Sequence, residues 1–205
     1  EKKTTLTFSR EMKTDEVTKT TTQGAWTPSV GTFPEVVSPV VDGYTPDKEK
    51  VTTVNVTATD TDINVTVKYK ADKQKVTYTI IDDTTNTTLE DKQELTSGNS
   101  DTPLPNDTEA KYNSIVDAYL AQGYELVSKD QLPAKFDLDS GYDQNVVVHV
   151  KHGTADIQES KNVNLTVRYH GAGGQTPADK VQTATWTRTV TTDKVTGSVV
   201  NTTDW

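Results

Sequence analysis

The chain has no cysteine, a single methionine and no apolar run near the ~20 residues that a membrane-spanning helix needs. Without thiols, no disulfide holds the fold together and no cysteine-bearing zinc site can form. Positive charge is also short. Lys and Arg number 21 against 30 Asp and Glu, for a net charge of −9, and the basic residues are scattered rather than clustered. That balance argues against a nucleic-acid partner, and an anionic glycan would have to be held by local contacts rather than bulk attraction. Only 32% of the residues are hydrophobic, against roughly 45–50% in ordinary globular domains, a reference that also counts glycine. One large core is therefore not expected. Catalytic motifs are missing as well: there is no GxSxG, SxxK or HExxH. Paired carboxylates are too common in so acidic a chain to argue for a glycosidase.

What fills the composition is threonine and valine, 38 and 25 residues. Both are β-branched, stiff at χ1 and suited to a pleated, half-exposed surface. Small sheet modules with thin cores follow from this. In a secreted eukaryotic protein, such modules would be expected to carry disulfides. The repetitive, acidic, threonine-rich character without them favours a bacterial surface protein.

The chain ends with a copy of its beginning. Residues 5–26 reappear at 183–205: Thr5, Thr7, Arg10, Thr14, Asp15, Val17 and Thr18 match Thr183, Thr185, Arg188, Thr192, Asp193, Val195 and Thr196, each 178 residues apart. Phe8 becomes Trp186, and with one inserted residue Trp26 matches Trp205. A segment recurring after a domain's length marks one unit of a tandem array, an arrangement suited to reach and multivalency.

The middle third reads most clearly. Val76, Tyr78 and Ile80 alternate with threonines, as a strand requires, and Leu89–Leu95 fits a returning strand. Tyr112, Ile115, Val116, Tyr119 and Leu120 then fall on one face of a helix over 108–122, with Asn106 or Asp107 to cap it and Gly123 to end it. Tyr124–Val127 and 145–152 read as two more strands. The ββαββ order is that of a β-grasp, so the fold class expected is α+β: β-rich tandem β-grasp (ubiquitin-like) modules in an elongated array, with one clear helix in the central module. The flanks read as pieces of a related module, with FPEVVS (33–38) in the place of a much shorter helix and 63–70 as a closing strand. The expected division is 1–72, 73–155 and 156–205, with linkers near 71–74 and 153–161. Residues 163–205 are candidates to complete the sheet of 1–72, in the same chain or a neighbour.

The pattern TLTFSREMKTDEVTKTTTQGAWTP…FPEVVSPVVDGYTPDKEKV, with NLTVRYHGAGGQTPADKVQTATWTRTVTTDKVTG, resembles the mucus-binding (Mub) repeats of lactobacillal cell-surface adhesins. YTIIDDTTNTTLE through VVVHVKHG resembles the associated MucBP-type module. The resemblance implies a multi-repeat, non-enzymatic adhesin outside the cell, anchored to the bacterial wall through a C-terminal region not in this sequence. It implies mucin glycoproteins as partners, neighbouring repeats of the same chain as contacts, and immunoglobulin as an alternative partner. It implies no direct membrane insertion. A structural stalk repeat is the rival role. The family offers no short ligand signature to carry onto numbered positions.

Among individual residues, aromatic rings and amides are the candidates for sugar contact. Trp26, Tyr142 and Asn145 are the expected glycan-binding set, although Trp26 and Trp186 also fit as covers for thin sheet cores. DLDSGYD offers Asp137, Asp139 and Asp143 as a weak calcium loop. Gly141 stands at the fifth place instead of the sixth, and Val148 replaces the terminal Glu of an EF-hand. No other cofactor is expected. His149 and His152, three apart on a strand, face opposite sides and read as solvated strand-end residues. GAGG (171–174) lacks the helix and Lys-Ser/Thr of a nucleotide loop and reads as a turn.

Overall fold

The computed structural model describes residues 2–205. The chain divides into two compact units. The first holds residues up to Gln74 together with Asn99–Thr102 and Asp137–Tyr142; the second holds Lys75–Gly98, Pro103–Phe136 and Asp143–Trp205.

The first unit opens with a hairpin of β1 (Met12–Thr14) and β2 (Thr21–Gln23). It continues through β3 (Gly31–Phe33), β4 (Val36–Val37), β5 (Tyr44–Pro46), β6 (Lys50–Val51), β7 (Val54–Val56) and β8 (Tyr69–Ala71). These pair antiparallel as β3–β7, β4–β6 and β5–β8. The ribbons are short and their apolar burial slight: Val56 is the buried aliphatic here, and Leu6 and Phe8 lie over Gly31, where a Cβ would meet both at 3.0 Å. The short helix expected at 33–38 is instead β3 and β4. Pro34 supplies no amide and Val36–Val37 are β-branched, so an extended chain is the cheaper conformation. Of the closing strand expected at 63–70, only Tyr69–Ala71 joins a ladder.

The second unit contains the β-grasp. Its elements are β9 (Lys73–Asp82, entering from the first unit), β10 (Thr87–Asn99), α1 (Thr108–Ala121), β11 (Tyr124–Lys129) and β12 (Gln144–His152). The sheet runs β10–β9–β12–β11, with β12 parallel to β9 at its centre and antiparallel to β11. Val148 lies opposite Ile80 and Val146 opposite Tyr78, so alternate residues of both central strands point into one core. Val76, Ile80, Tyr112, Phe136, Val148 and Val150 are almost wholly enclosed, each worth ~1.5–3 kcal/mol over exposure. Two glycines permit close approach. A Cβ on Gly98 would lie 2.2 Å from the Phe136 ring. Gly123 ends the helix at φ +100°, and a Cβ there would meet the Lys194 backbone at 2.8 Å.

Only Gly153 separates the grasp from β13 (Thr154–Val167), so the linker expected at 153–161 is a strand. The linker expected at 71–74 is likewise absent, since Asp72 alone separates β8 from β9. Strand β13 pairs antiparallel with β14 (Lys180–Asp193) over fourteen residues, and β14 pairs with β15 (Val199–Thr202). One face of this ribbon is a polar ladder, with Thr183 donating to Asn164 at 2.8 Å, Thr185 to Asn162 at 2.9 Å and Thr191 to Asp156 at 2.6 Å. The other carries Val163, Leu165 and Trp186, all exposed. Trp186 thus covers no core, contrary to the reading from its hydrophobicity.

Candidate functional site

The residues expected to bind glycan fall into different settings. Trp26 is 37% exposed, with the Arg10 guanidinium 4.5 Å above its ring. Tyr142 is 69% exposed on a turn in which its amide donates to the Asp139 carbonyl at 3.2 Å. Both belong to the first unit, whereas Asn145 lies in the second. Asn145 Oδ1 accepts hydrogen bonds from the Thr77 and Thr79 hydroxyls at 3.0 and 3.2 Å. That bracing holds the side chain at a groove that Asn145 lines together with Asp130, Gln131, Pro133, Gln144 and Val146. The lining is amide and carboxylate beside the apolar Pro133 and Val146, suited to hydroxyl-rich ligands.

Asp137, Asp139 and Asp143 are not gathered as ligands. Among the described residues, no three His, Asp or Glu side chains converge on a metal position. Asp139 Oδ1 is occupied by the Gly141 amide at 3.0 Å, which closes the turn. Asp137 and Asp139 sit in the first unit and Asp143 in the second, where it raises the pKa of Lys75 along with the stronger partner Glu94.

The histidine reading requires correction. His149 is paired, its Nδ1 2.7 Å from Asp83. His152 is buried, with its side chain 8% exposed, between two carboxylates: Nε2 lies 3.0 Å from Asp82 and Nδ1 2.5 Å from Asp193. An ionised carboxylate only accepts, so a carboxylate at each ring nitrogen calls for a proton on both and favours the imidazolium. The Asp193 hydrogen bond raises the His152 pKa against the opposing effect of burial, with the charge of Asp82 adding to it. Asp193 is correspondingly lowered, to about 2, chiefly by His152. Burial works against ionising Asp82, but hydrogen bonds from Thr85 Oγ1 at 2.7 Å and the Thr84 amide at 2.8 Å, together with the charge and hydrogen bond of His152, leave its pKa lowered. The Tyr124 ring meets the imidazole edge to face at 5.3 Å. Beside this clasp the Lys194 amide donates to the Gly153 carbonyl at 2.8 Å, and Gly153 to Gly123 at 2.9 Å. The clasp therefore fastens the turn after β14 to the closing corner of the grasp. Its sequence signals were the doubled aspartate at 15 and 193 and a histidine just before a glycine.

A second polar pin holds helix to sheet. Glu90 accepts from Tyr78 at 2.5 Å and Tyr119 at 2.8 Å, and burial followed by Glu90 pushes the Tyr78 phenol up to about 12.

With this geometry in hand, comparison with known families is decisive. The family model of the Muc B2-like domain matches residues 1–73 and 154–205, more than half of the chain. The chain belongs to that family. Within it, residues 74–152 match the family model described as a mucin binding domain, the MucBP type. Neither is a family of enzymes. Among solved structures, Mub-RV is 32% identical over 63% of this chain and 70% of its own, with a TM-score of 0.45. The type 2 repeat of the mucus binding protein MUB from Lactobacillus reuteri is 30% identical over 62% and 72%, with a TM-score of 0.41. No curated protein matches the chain. The MucBP-type match covers the β-grasp, so the Asn145 groove lies within it and the His152 clasp holds a Muc B2-like strand to its closing corner.

Proposed function

We propose that this Muc B2-like chain is an adhesion repeat that binds mucin glycoproteins, weakly per copy and firmly when many copies share one wall-anchored surface chain. The observation that carries this reading is the match of the β-grasp to a mucin binding domain. The polar groove at Asn145 supports a glycan ligand, with Trp26 and Tyr142 as further exposed aromatic contacts. Tethering raises the effective concentration for each later contact, which turns weak recognition into attachment.

The test is capture of the 205-residue chain by purified mucin before and after glycan removal, with and without chelator. Glycan-dependent capture that falls at least several-fold in Asn145→Ala supports the groove. Loss with chelator would show that capture needs a divalent cation. Capture that ignores glycan removal would overturn the reading. The fourteen-residue β13 leaves one edge of its ribbon unpaired, and this favours a second reading, pairing with an edge strand of an immunoglobulin domain. Free sugars should compete with the first mode and leave the second unchanged. A stalk role is the outcome if neither partner is captured, even by tandem copies.

A further inference from the structure

The turns around Asp15 and Asp193 are one structure built twice. Asp15 Oδ1 accepts the amides of Val17 and Thr18 at 2.8 and 3.0 Å; Asp193 Oδ1 accepts those of Val195 and Thr196 at 2.7 and 3.0 Å. The Lys19 amide donates to the Asp15 carbonyl at 2.9 Å, and the Gly197 amide to that of Asp193 at 2.9 Å. Lys19 and Gly197 both have positive φ, +55° and +74°. Arg10 stacks on Trp26 at 4.5 Å and Arg188 on Trp205 at 4.6 Å.

The surroundings differ in two respects. Strand β14 is covered on one side by β13 along its whole length and on the other by β15, whereas β1 pairs with β2 alone. Asp193 lends Oδ2 to the buried His152, whereas Asp15 is exposed and, among the described residues, its carboxylate accepts from its own turn alone. The first hairpin thus has the residues that dock, but among the described residues no strand other than β2 pairs with β1. The second shows what docks: a strand that leaves a MucBP-type module through Gly153, with the His152 socket at its root.

We propose that residues 2–15 and the Asp15 turn form the docking surface for a second copy of the MucBP-type module, which lays its β13 along this edge and seats the Asp15 carboxylate on its own His152. Asp15 then takes the role of Asp193, beside Asp82 from β9 and the Tyr124 ring from β11, the groups that face His152 from the elements packed on it. Glu16 takes the place of Lys194, whose contacts with Gly153 and Gly123 are made by backbone and Cβ and so do not depend on its charge. The partner is chosen by shape and charge together: a long strand edge plus a cationic imidazole at one end. Repeats spaced by 178 residues would then be joined by a ladder and a buried ion pair as well as by the peptide chain, which stiffens the array at each junction.

The test is a two-copy protein in which residues 1–178 are joined directly to residues 1–205, so that the 178-residue period is kept. Histidine imidazole titration by NMR reads the two sockets separately. Both His152 residues should titrate above the ordinary imidazole value. Asp15→Asn in the second copy should lower the titration point of the first copy's His152 alone, with the contribution of Asp82 left in place. The Glu16 amide of the second copy should exchange with solvent at least about tenfold more slowly than in the single chain. If the first His152 titrates below the second, which its own Asp193 clasps, the modules are folded but undocked and the proposal fails. It fails equally if Asp15→Asn leaves the first His152 unchanged.

Discussion

The Asp15 hairpin and the Asp193 hairpin share an Arg-over-Trp stack, an aspartate-capped turn and the same cross-strand bonds. One carboxylate lies in solvent and the other against a buried imidazolium. The local sequence therefore specifies the turn, and the neighbouring element specifies how much the turn matters to the fold. An aspartate that accepts two backbone amides is a local device worth little beyond its loop. Once its second oxygen also neutralises a buried histidine, it becomes a tertiary fastener.

Substitutions separate these contributions. The largest effect is expected for His152→Ala, which leaves Asp82 and Asp193 facing each other without the cation between them; loss of a buried partner costs ~3 kcal/mol or more. Chemical denaturation of the full chain checks it, and an effect below about 1 kcal/mol would mean that the clasp is not a fastener. Next comes Asp193→Asn, which keeps the turn but removes the charge, at ~2 kcal/mol. The same change at Asp15 should leave the stability of the single chain almost unaltered. Equal costs at the two positions would erase the contrast.

Acidity gives a third lever. His152 has a raised pKa in the folded state, so its stabilisation is complete below the ordinary imidazole value of 6.5 and is lost as pH rises through the folded value. Asp193, lowered to about 2, contributes above its ordinary 3.8 and stops contributing as pH falls through about 2. The clasp should therefore hold best between roughly pH 4 and 6.5 and loosen on both sides. Unfolding midpoints measured across pH should show this alkaline loss in the native chain and not in His152→Ala. The smallest effect is expected for Arg10→Ala and Arg188→Ala, ~0.5–1 kcal/mol each. Their similarity, followed by tryptophan fluorescence during unfolding, would confirm that the hairpins differ in docking rather than in construction.

Much of the β-grasp was legible because its residues follow simple periods. Val76, Tyr78 and Ile80 alternate, and Tyr112, Ile115, Val116 and Tyr119 recur at helical spacing, and the sheet and helix formed where those patterns lie. The flanks were less legible. Segment 33–38 has too few residues to display a period, and its valines decided for strands. Segment 153–161 looked like a linker because DIQESKN is polar, yet residues 154–161 lie in a strand whose partners in β14 are 25 to 39 residues further on. The clasp was hidden for a related reason. Asp82, His152 and Asp193 are far apart in sequence, and a polar residue at a strand end gives no local sign that another element will bury it. Its trace was the repeated aspartate, visible in the sequence and read only as a mark of duplication.

The contrast rests on the two equivalent amides that follow the two aspartates, and hydrogen exchange of the full chain near pH 5 reads them directly. The Lys194 amide, bonded to Gly153 beside the clasp, should exchange far more slowly than that of Glu16, and His152→Ala should bring it towards the Glu16 rate. Equal exchange at the two positions in the unmodified chain would contradict the clasp, because two identical turns would then differ in nothing that holds the protein together.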